Sequence, residues 1–237
     1  MIDMHVHILP GVDDGATSLE VALAMARLAV EDGITDIVCT SHMSTEGSYN
    51  ERLATHDSIR LALQEHIDEA GIPLRLWAGA EWMLSPELLD TVKTTGRLGT
   101  GTTFLFELGA YMPLEAALYL AEDAVSCGLH PILAHPERYF WFSRDGFLSS
   151  LQALEHKGCV FQLTAGSLLG LFGREPRRKA EVIVNLFSKN VVIASDAHNI
   201  TSRKPLLTAG YGALDALSPG LGKQAKGLLA DILCLKK

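Results

Sequence analysis

Short apolar runs recur along the chain near Ile2 to Val6, Ile34 to Thr40, Leu74 to Ala80, Thr103 to Leu108, Pro131 to Ala134, Val160 to Leu163 and Val191 to Ala194, with helical spacing between them. Buried strands that alternate with helices predict parallel strands joined by right-handed crossovers. Strands that are apolar almost throughout need a sheet covered on both faces. A second regularity narrows the choice, because most of these runs end in a polar or metal-binding side chain. An open doubly wound sheet usually binds ligands at one switch point, whereas a closed barrel gathers the C-terminal ends of all its strands around one mouth. The expected fold class is therefore α/β, as a barrel of about seven strands.

Helix boundaries are marked as well. Thr17 with Glu20 and Ser48 with Glu51 have capping-box spacing, and Ser85 before Pro86 puts proline at a first helical position. Gly33, Gly71, Gly128 and Gly158 follow the last turns of helical stretches, where a left-handed residue closes the helix.

With 237 residues, 48% hydrophobic and 20% charged, the chain can bury a large core. No linker or low-complexity tract interrupts it, so one domain over residues 1–237 is expected. Asp3, His5 and His7 fall where a signal peptide needs apolar residues, and no run has the length of a membrane span, which predicts a cytoplasmic protein without direct membrane insertion. The four cysteines, Cys39, Cys127, Cys159 and Cys234, lie far apart and read as free thiols, buried where their segments are apolar. A formal charge of −8 argues against nucleic acid or an anionic membrane surface as a partner. The basic stretch Arg174 to Lys179 reads as a solvated helix start. Oligomeric state is left open, a homo-oligomer included.

The strand ends carry the chemistry. His5 and His7, two apart on a strand, point to the same side. His42, Glu81, Glu107 and His135 end later runs, and Asp196 and His198 follow the last, again two apart. Asp13 and Asp14 sit in the first loop, and spacing does not choose between them. Each residue alone reads equally well as a satisfied polar group. Together they exceed what one ion needs, and burying them around one mouth without cations would be costly, so two or three clustered divalent metals are expected. His56, His66 and His156 read as surface positions on helices, and His130 lies at the opposite strand end.

The motifs His5-x-His7, Val12-Asp13-Asp14-Gly15, Thr40-Ser41-His42, Glu81, Glu107, Ala134-His135-Pro136-Glu137-Arg138 and Ala194-Ser195-Asp196-Ala197-His198-Asn199 resemble those of the polymerase and histidinol phosphatase (PHP) superfamily. Gln162 to Gly170 and the His135 to Arg138 segment are similar to the bacterial tyrosine-protein phosphatases of capsular and exopolysaccharide operons. The resemblance covers nearly the whole chain. It implies a PHP-type, distorted seven-stranded TIM-like (β/α)7 barrel holding three metals, manganese preferred with iron or zinc as alternatives. It further implies His5, His7, Asp14, His42, Glu81, Glu107, His135, Asp196 and His198 as ligands, and Arg138, Asp196 and His198 as the catalytic group. Its partner would be a phosphotyrosine-bearing protein, a bacterial tyrosine kinase that regulates polysaccharide synthesis. The segment Met43 to Gly47 departs from the family pattern, which commonly has a basic residue or another histidine there, and this bears on substrate preference.

Clustered divalent ions would generate metal-bound hydroxide near neutral pH and screen a phosphate ester. Arg138 is suited to a bidentate grip on phosphoryl oxygens, and Arg203 is a second substrate-binding candidate. A tyrosine leaving group, with a pKa near ~10, departs with less help than an aliphatic alcohol. The stretch Tyr139 to Phe142 either walls a pocket for an aromatic ring or packs over the rim. A cysteine-based route is excluded, because the residues six beyond Cys39, Cys127 and Cys159 are Thr45, Leu133 and Ala165 rather than arginine. Neither a Walker A loop nor G-x-G-x-x-G is present. Two other readings compete: a small-molecule phosphatase acting on a substrate such as histidinol phosphate, and a non-catalytic, metal-stabilised interaction protein.

Overall fold

A computed structural model describes residues 1–43, 49–109, 112, 114–139 and 144–235. Ser48, the 44–47 segment and Phe140 to Phe142 therefore lie outside the described residues. The elements run β1 (Ile2–Val6), α1 (Leu19–Glu31), β2 (Asp36–Cys39), β3 (His42–Met43), α2 (Tyr49–Glu69), β4 (Arg75–Ala78), β5 (Glu81–Met83), α3 (Leu88–Thr94) and β6 (Thr103–Glu107). They continue with α4 (Leu114–Ser126), β7 (His130–Ala134), α5 (Arg144–His156), β8 (Val160–Thr164), α6 (Ala165–Leu168), α7 (Arg174–Phe187), β9 (Val191–Ala194), α8 (Thr208–Leu217) and α9 (Leu221–Leu233). Every strand pair is parallel, in one sheet of order β1-β2-β4 and another of order β3-β5-β6-β7-β8-β9.

The second and third apolar runs each form one strand and are each followed, two residues later, by a second short strand. Thr40 and Ser41 separate β2 from β3, and Gly79 and Ala80 separate β4 from β5. At the second break a Cβ on Gly79 would stand 2.5 Å from Val38 Cγ1, so only glycine lets the chain pass this close to β2. The breaks carry His42 and Glu81 into the larger sheet, where they pair in register. Beyond β9 the chain returns to β1: Asp196 N donates to His5 O at 2.9 Å and His7 N to Ala197 O at 2.9 Å.

Burial divides along the strands with period two. Leu105, Ile132, Ala134, Val192 and Ala194 form one cluster with Leu229 and Leu233 of α9. Their neighbours Phe104, Phe106, Leu133, Phe161, Leu163 and Ile193 pack into the larger cluster shared with the helices. The helices reach it by an i, i+3, i+4, i+7 stripe, as Ala22, Met25, Ala26 and Ala29 do in α1 and Ala180, Ile183, Val184 and Phe187 in α7. Each large apolar side chain so buried contributes about 1.5–3 kcal/mol against leaving it in water. Glycine closes helices as expected, with φ from 65° to 87° at Gly33, Gly71, Gly128 and Gly158. The cap of α1 is Ser18, whose Oγ accepts from Val21 N at 3.4 Å, one residue later than the Thr17 spacing predicts. Pro86 falls in a turn before α3 rather than in its first helical position. Among the described residues no helix is long and apolar enough to cross a membrane.

Candidate metal centre

The inner face of the strands runs directly into the site. Glu107 lies two residues beyond Leu105, Gln162 two beyond Val160 and Asp196 two beyond Ala194, on the same alternation. His135 follows Ala134 immediately and breaks it. Its φ of 33° and the 52° of Asp196 are left-handed conformations that a non-glycine residue adopts at a cost of about 1–3 kcal/mol, held here by the surrounding structure.

All nine histidine and carboxylate residues expected at the strand ends and first loop converge. Their nitrogen and oxygen atoms form four overlapping groups within 4.8 Å: His7, Asp14, His42 and His198; His5, His7 and Glu81; His5, His135 and Asp196; His42, Glu81 and Glu107. Glu81 sits at the middle. Its Oε2 lies 3.1 Å from His42 Nδ1, 3.2 Å from His5 Nε2 and 3.3 Å from His7 Nε2, and its Oε1 lies 2.8 Å from His135 Nε2. Asp196 Oδ1 faces His5 Nε2 at 3.4 Å and His7 Nε2 at 3.5 Å.

The two aspartates of the first loop separate by role. Asp14 reaches between His42 Nε2 and His198 Nε2, 3.3 Å from each. Asp13 turns inward. It accepts from His7 Nδ1 at 2.8 Å, Gly15 N at 3.0 Å and His42 N at 2.9 Å. Sequence reasoning gave Asp13 no role once Asp14 was preferred, and it gave none to Gln162, whose Oε1 accepts from His5 Nδ1 at 2.8 Å. The inward parity of Gln162 on β8 is the signal that could have found it.

Arg138 and Arg203 converge on one oxygen. Arg138 Nη1 donates to Asp196 Oδ2, and Arg203 Nη2 donates to the same atom at 2.6 Å. Both side chains remain partly exposed, 28% and 22%, whereas Arg203 Nε is buried without a hydrogen bond. Tyr139 packs inward, 4% exposed, and its hydroxyl accepts from Leu108 N at 3.0 Å, which is the rim-packing alternative for that residue. His66 and His156 are exposed as expected, and His130 at the start of β7 is exposed too, whereas His56 is half-buried, its Nδ1 enclosed without a hydrogen bond. Two of the free cysteines are buried, Cys39 and Cys159, and two are exposed, Cys127 and Cys234.

The electrostatics favour positive charge. Burial pushes the His5 imidazole down, yet the Glu81 and Asp196 carboxylates outweigh it and raise it to about 9. Burial pushes the Glu81 carboxyl up, but His5, His135 and His42 hold it well below the carboxylate range. Buried and without a hydrogen bond, Glu81 Oε2 and Asp196 Oδ1 are each ringed by imidazole nitrogens. Anions buried without hydrogen bonds are costly to leave unmatched, and an imidazole and carboxylate donor set of this kind suits manganese, iron or zinc. The residues fit divalent cations.

Comparison with known proteins agrees with this geometry. The family model for capsular polysaccharide synthesis proteins CpsB/CapC matches residues 1–223. The tyrosine-protein phosphatase YwqE of Bacillus subtilis (strain 168) is 33% identical over 207 residues, covering 86% of this chain and 79% of the relative. The tyrosine-protein phosphatase CpsB of Streptococcus agalactiae serotype III (strain NEM316) is 26% identical over 220 residues, covering 89% and 88%. A crystal structure from work on YwqE of Bacillus subtilis and CpsB of Streptococcus pneumoniae, described as metal-dependent tyrosine phosphatases, superposes with a TM-score of 0.89 at 28% identity, covering 100% of this chain and 96% of that one. From the length of the match and the identity to YwqE, this chain belongs to the CpsB/CapC family.

Proposed function

We propose that this chain is a metal-dependent protein-tyrosine phosphatase whose substrate is a phosphorylated tyrosine kinase governing capsular or exopolysaccharide synthesis. The observation that carries the reading is the contact of two partly exposed guanidiniums with the carboxylate of Asp196, itself part of the clustered imidazoles and carboxylates. A phosphate monoester needs both features, cations at the reacting oxygens and N–H donors for the others. The names of the relatives support phosphotyrosine as the substrate.

The ligands in this reading are His5, His7, Asp14, His42, Glu81, Glu107, His135, Asp196 and His198, holding three divalent ions, manganese preferred, with iron or zinc as alternatives. Divalent cations in such a set acidify water and screen the charge of phosphoryl oxygens. Asp13 and Gln162 hold the imidazoles of His7 and His5 in one tautomer, each accepting from Nδ1 so that Nε2 presents its lone pair. Asp196 Oδ2 gathers Arg138 and Arg203, whose exposed N–H groups grip the phosphoryl oxygens. The tyrosyl oxygen, with a pKa near ~10, leaves with little help from an acid.

The reading also takes the two sheets as one distorted seven-stranded (β/α)7 barrel in a single cytoplasmic domain, residues 1–237, with β2 and β3 counted as one strand and β4 and β5 as another. The parallel bridge from Val6 to Ala197 supports that closure.

Dialysis against a chelator, then separate return of Mn, Zn, Mg and Fe with a phosphotyrosine peptide, tests the proposal. Activity should vanish and return best with Mn, and histidinol phosphate should be the poorer substrate. Full turnover after complete metal removal would refute it.

A further inference from the structure

Beside the two arginines lies a cavity of about 440 Å³, lined by Leu171, Phe172, Ser195, Thr201, Arg203 and Lys204 among others. It adjoins the metal centre through Arg203, which donates to Asp196, and through Ser195, the neighbour of Asp196. The Phe172 ring stands 5.0 Å from the Arg138 guanidinium, at cation–π distance, so one face of the ring borders the group that reaches Asp196. Leu171 beside it is 61% exposed, and Phe172 itself is only partly buried. Leu171 thus stands in water and Phe172 partly so, next to a highly charged centre.

The ring is held in place from behind. Gly166 backs it, and a Cβ at that position would come within 2.8 Å of Phe172 Cε2, so the close approach of α6 depends on glycine. The other wall is cationic and hydroxylic: Lys204 is exposed and has no ion pair among the described residues, and Thr201 and Ser202 carry free surface around it. An aromatic wall, two guanidiniums and an unpaired lysine complement a ligand with a phosphate on an aromatic ring and acidic or polar chain beside it. An aliphatic phosphate has nothing to place against the ring.

From this juxtaposition we propose that Phe172, flanked by Leu171, is the specificity-determining wall against which the phenyl ring of a phosphotyrosine lies, with the adjoining peptide entering the cavity toward Lys204. This deepens the phosphatase reading and rests on it for the identity of the phosphorylated residue. The phosphate meets Arg138 and Arg203, the ring covers Phe172 and Leu171, and phosphoserine or phosphothreonine leaves them exposed. Discrimination then comes from apolar area and ring stacking that only the aromatic ester supplies.

The test is binding, so that it does not depend on turnover. Metal-loaded protein is titrated calorimetrically with two peptides of the same sequence, one carrying a non-hydrolysable phosphonate analogue of phosphotyrosine and one of phosphoserine. The wild-type protein should prefer the aromatic peptide. In Phe172→Ala that preference should fall about tenfold, with Phe172→Trp restoring it and metal content unchanged by elemental analysis. Lys204→Ala should weaken a peptide with acidic flanking residues more than one with neutral ones. If Phe172→Ala weakened both phosphonates equally, the ring would serve only to position Arg138 and the proposal would fall. Equal wild-type affinity for the two peptides would overturn it as well. Selective aromatic binding without hydrolysis of the phosphotyrosine peptide would sink the phosphatase reading and leave the ring wall standing.

Discussion

Gln162 Oε1 and His5 Nδ1 are joined by a 2.8 Å hydrogen bond within a fully buried site. The amide oxygen accepts, so Nδ1 carries a proton and Nε2, which faces Glu81 and Asp196, is the nitrogen that a bound cation would meet. Gln162→Leu removes the acceptor at similar volume and leaves a buried N–H unpaired. Metal affinity should fall by about 10–100-fold, and residual manganese measured after buffer exchange at a series of free metal concentrations checks this. Wild-type retention would show that His5 needs no such support.

Asp13 makes the corresponding case on the other side of the cluster. It ties the His7 ring to the backbone of Gly15 and His42 through three hydrogen bonds. Asp13→Ala leaves these donors without a partner in a mostly buried pocket. Unfolding free energy should drop by at least about 1–3 kcal/mol, read by denaturant titration of metal-free wild type and variant together.

Replacing either arginine by lysine keeps the charge but loses the planar fork. Arg138→Lys and Arg203→Lys should each lower kcat/KM on a phosphotyrosine peptide by about 10–100-fold, equivalent to about 1.5–3 kcal/mol for a hydrogen bond to a charged group. Bound metal should stay at the wild-type level in both, since neither guanidinium belongs to the clustered groups. Loss of metal together with activity would show instead that the pair holds Asp196 in place.

The thiols offer a check on the fold itself. Burial pushes the Cys39 and Cys159 thiols up from 9.0 to about 12, while Cys127 and Cys234 are exposed. A thiol reagent at pH 8 should titrate two cysteines in the native protein and four in denaturant. The raised values also set a sign. Between pH 9 and 12 the unfolded chain loses both protons before the folded one does, so these two residues contribute stability below about pH 9 that is lost as pH rises toward 12.

Periodicity alone determined that this chain alternates strand and helix, because apolar spacing depends on which residues face a core and needs no knowledge of distant contacts. Residues at strand ends were equally legible, since parallel strands in such an array end on one side, and His5, His7, His42, Glu81, Glu107, His135, Asp196 and His198 could be gathered from that rule together with the motif. The break after β4 was not legible, because it falls where Gly79 passes Val38 of β2, a contact between segments distant in sequence. Nor could spacing separate Asp13 from Asp14, two adjacent carboxylates whose roles follow from which one meets His7 Nδ1 and which one meets His42 Nε2 and His198 Nε2. Gln162 and Phe172 gained meaning only in three dimensions, one against an imidazole on β1 and the other against a guanidinium after β7. Local pattern specifies which side of an element is buried, but hydrogen-bond partners and ring contacts between residues distant in sequence are decided by packing.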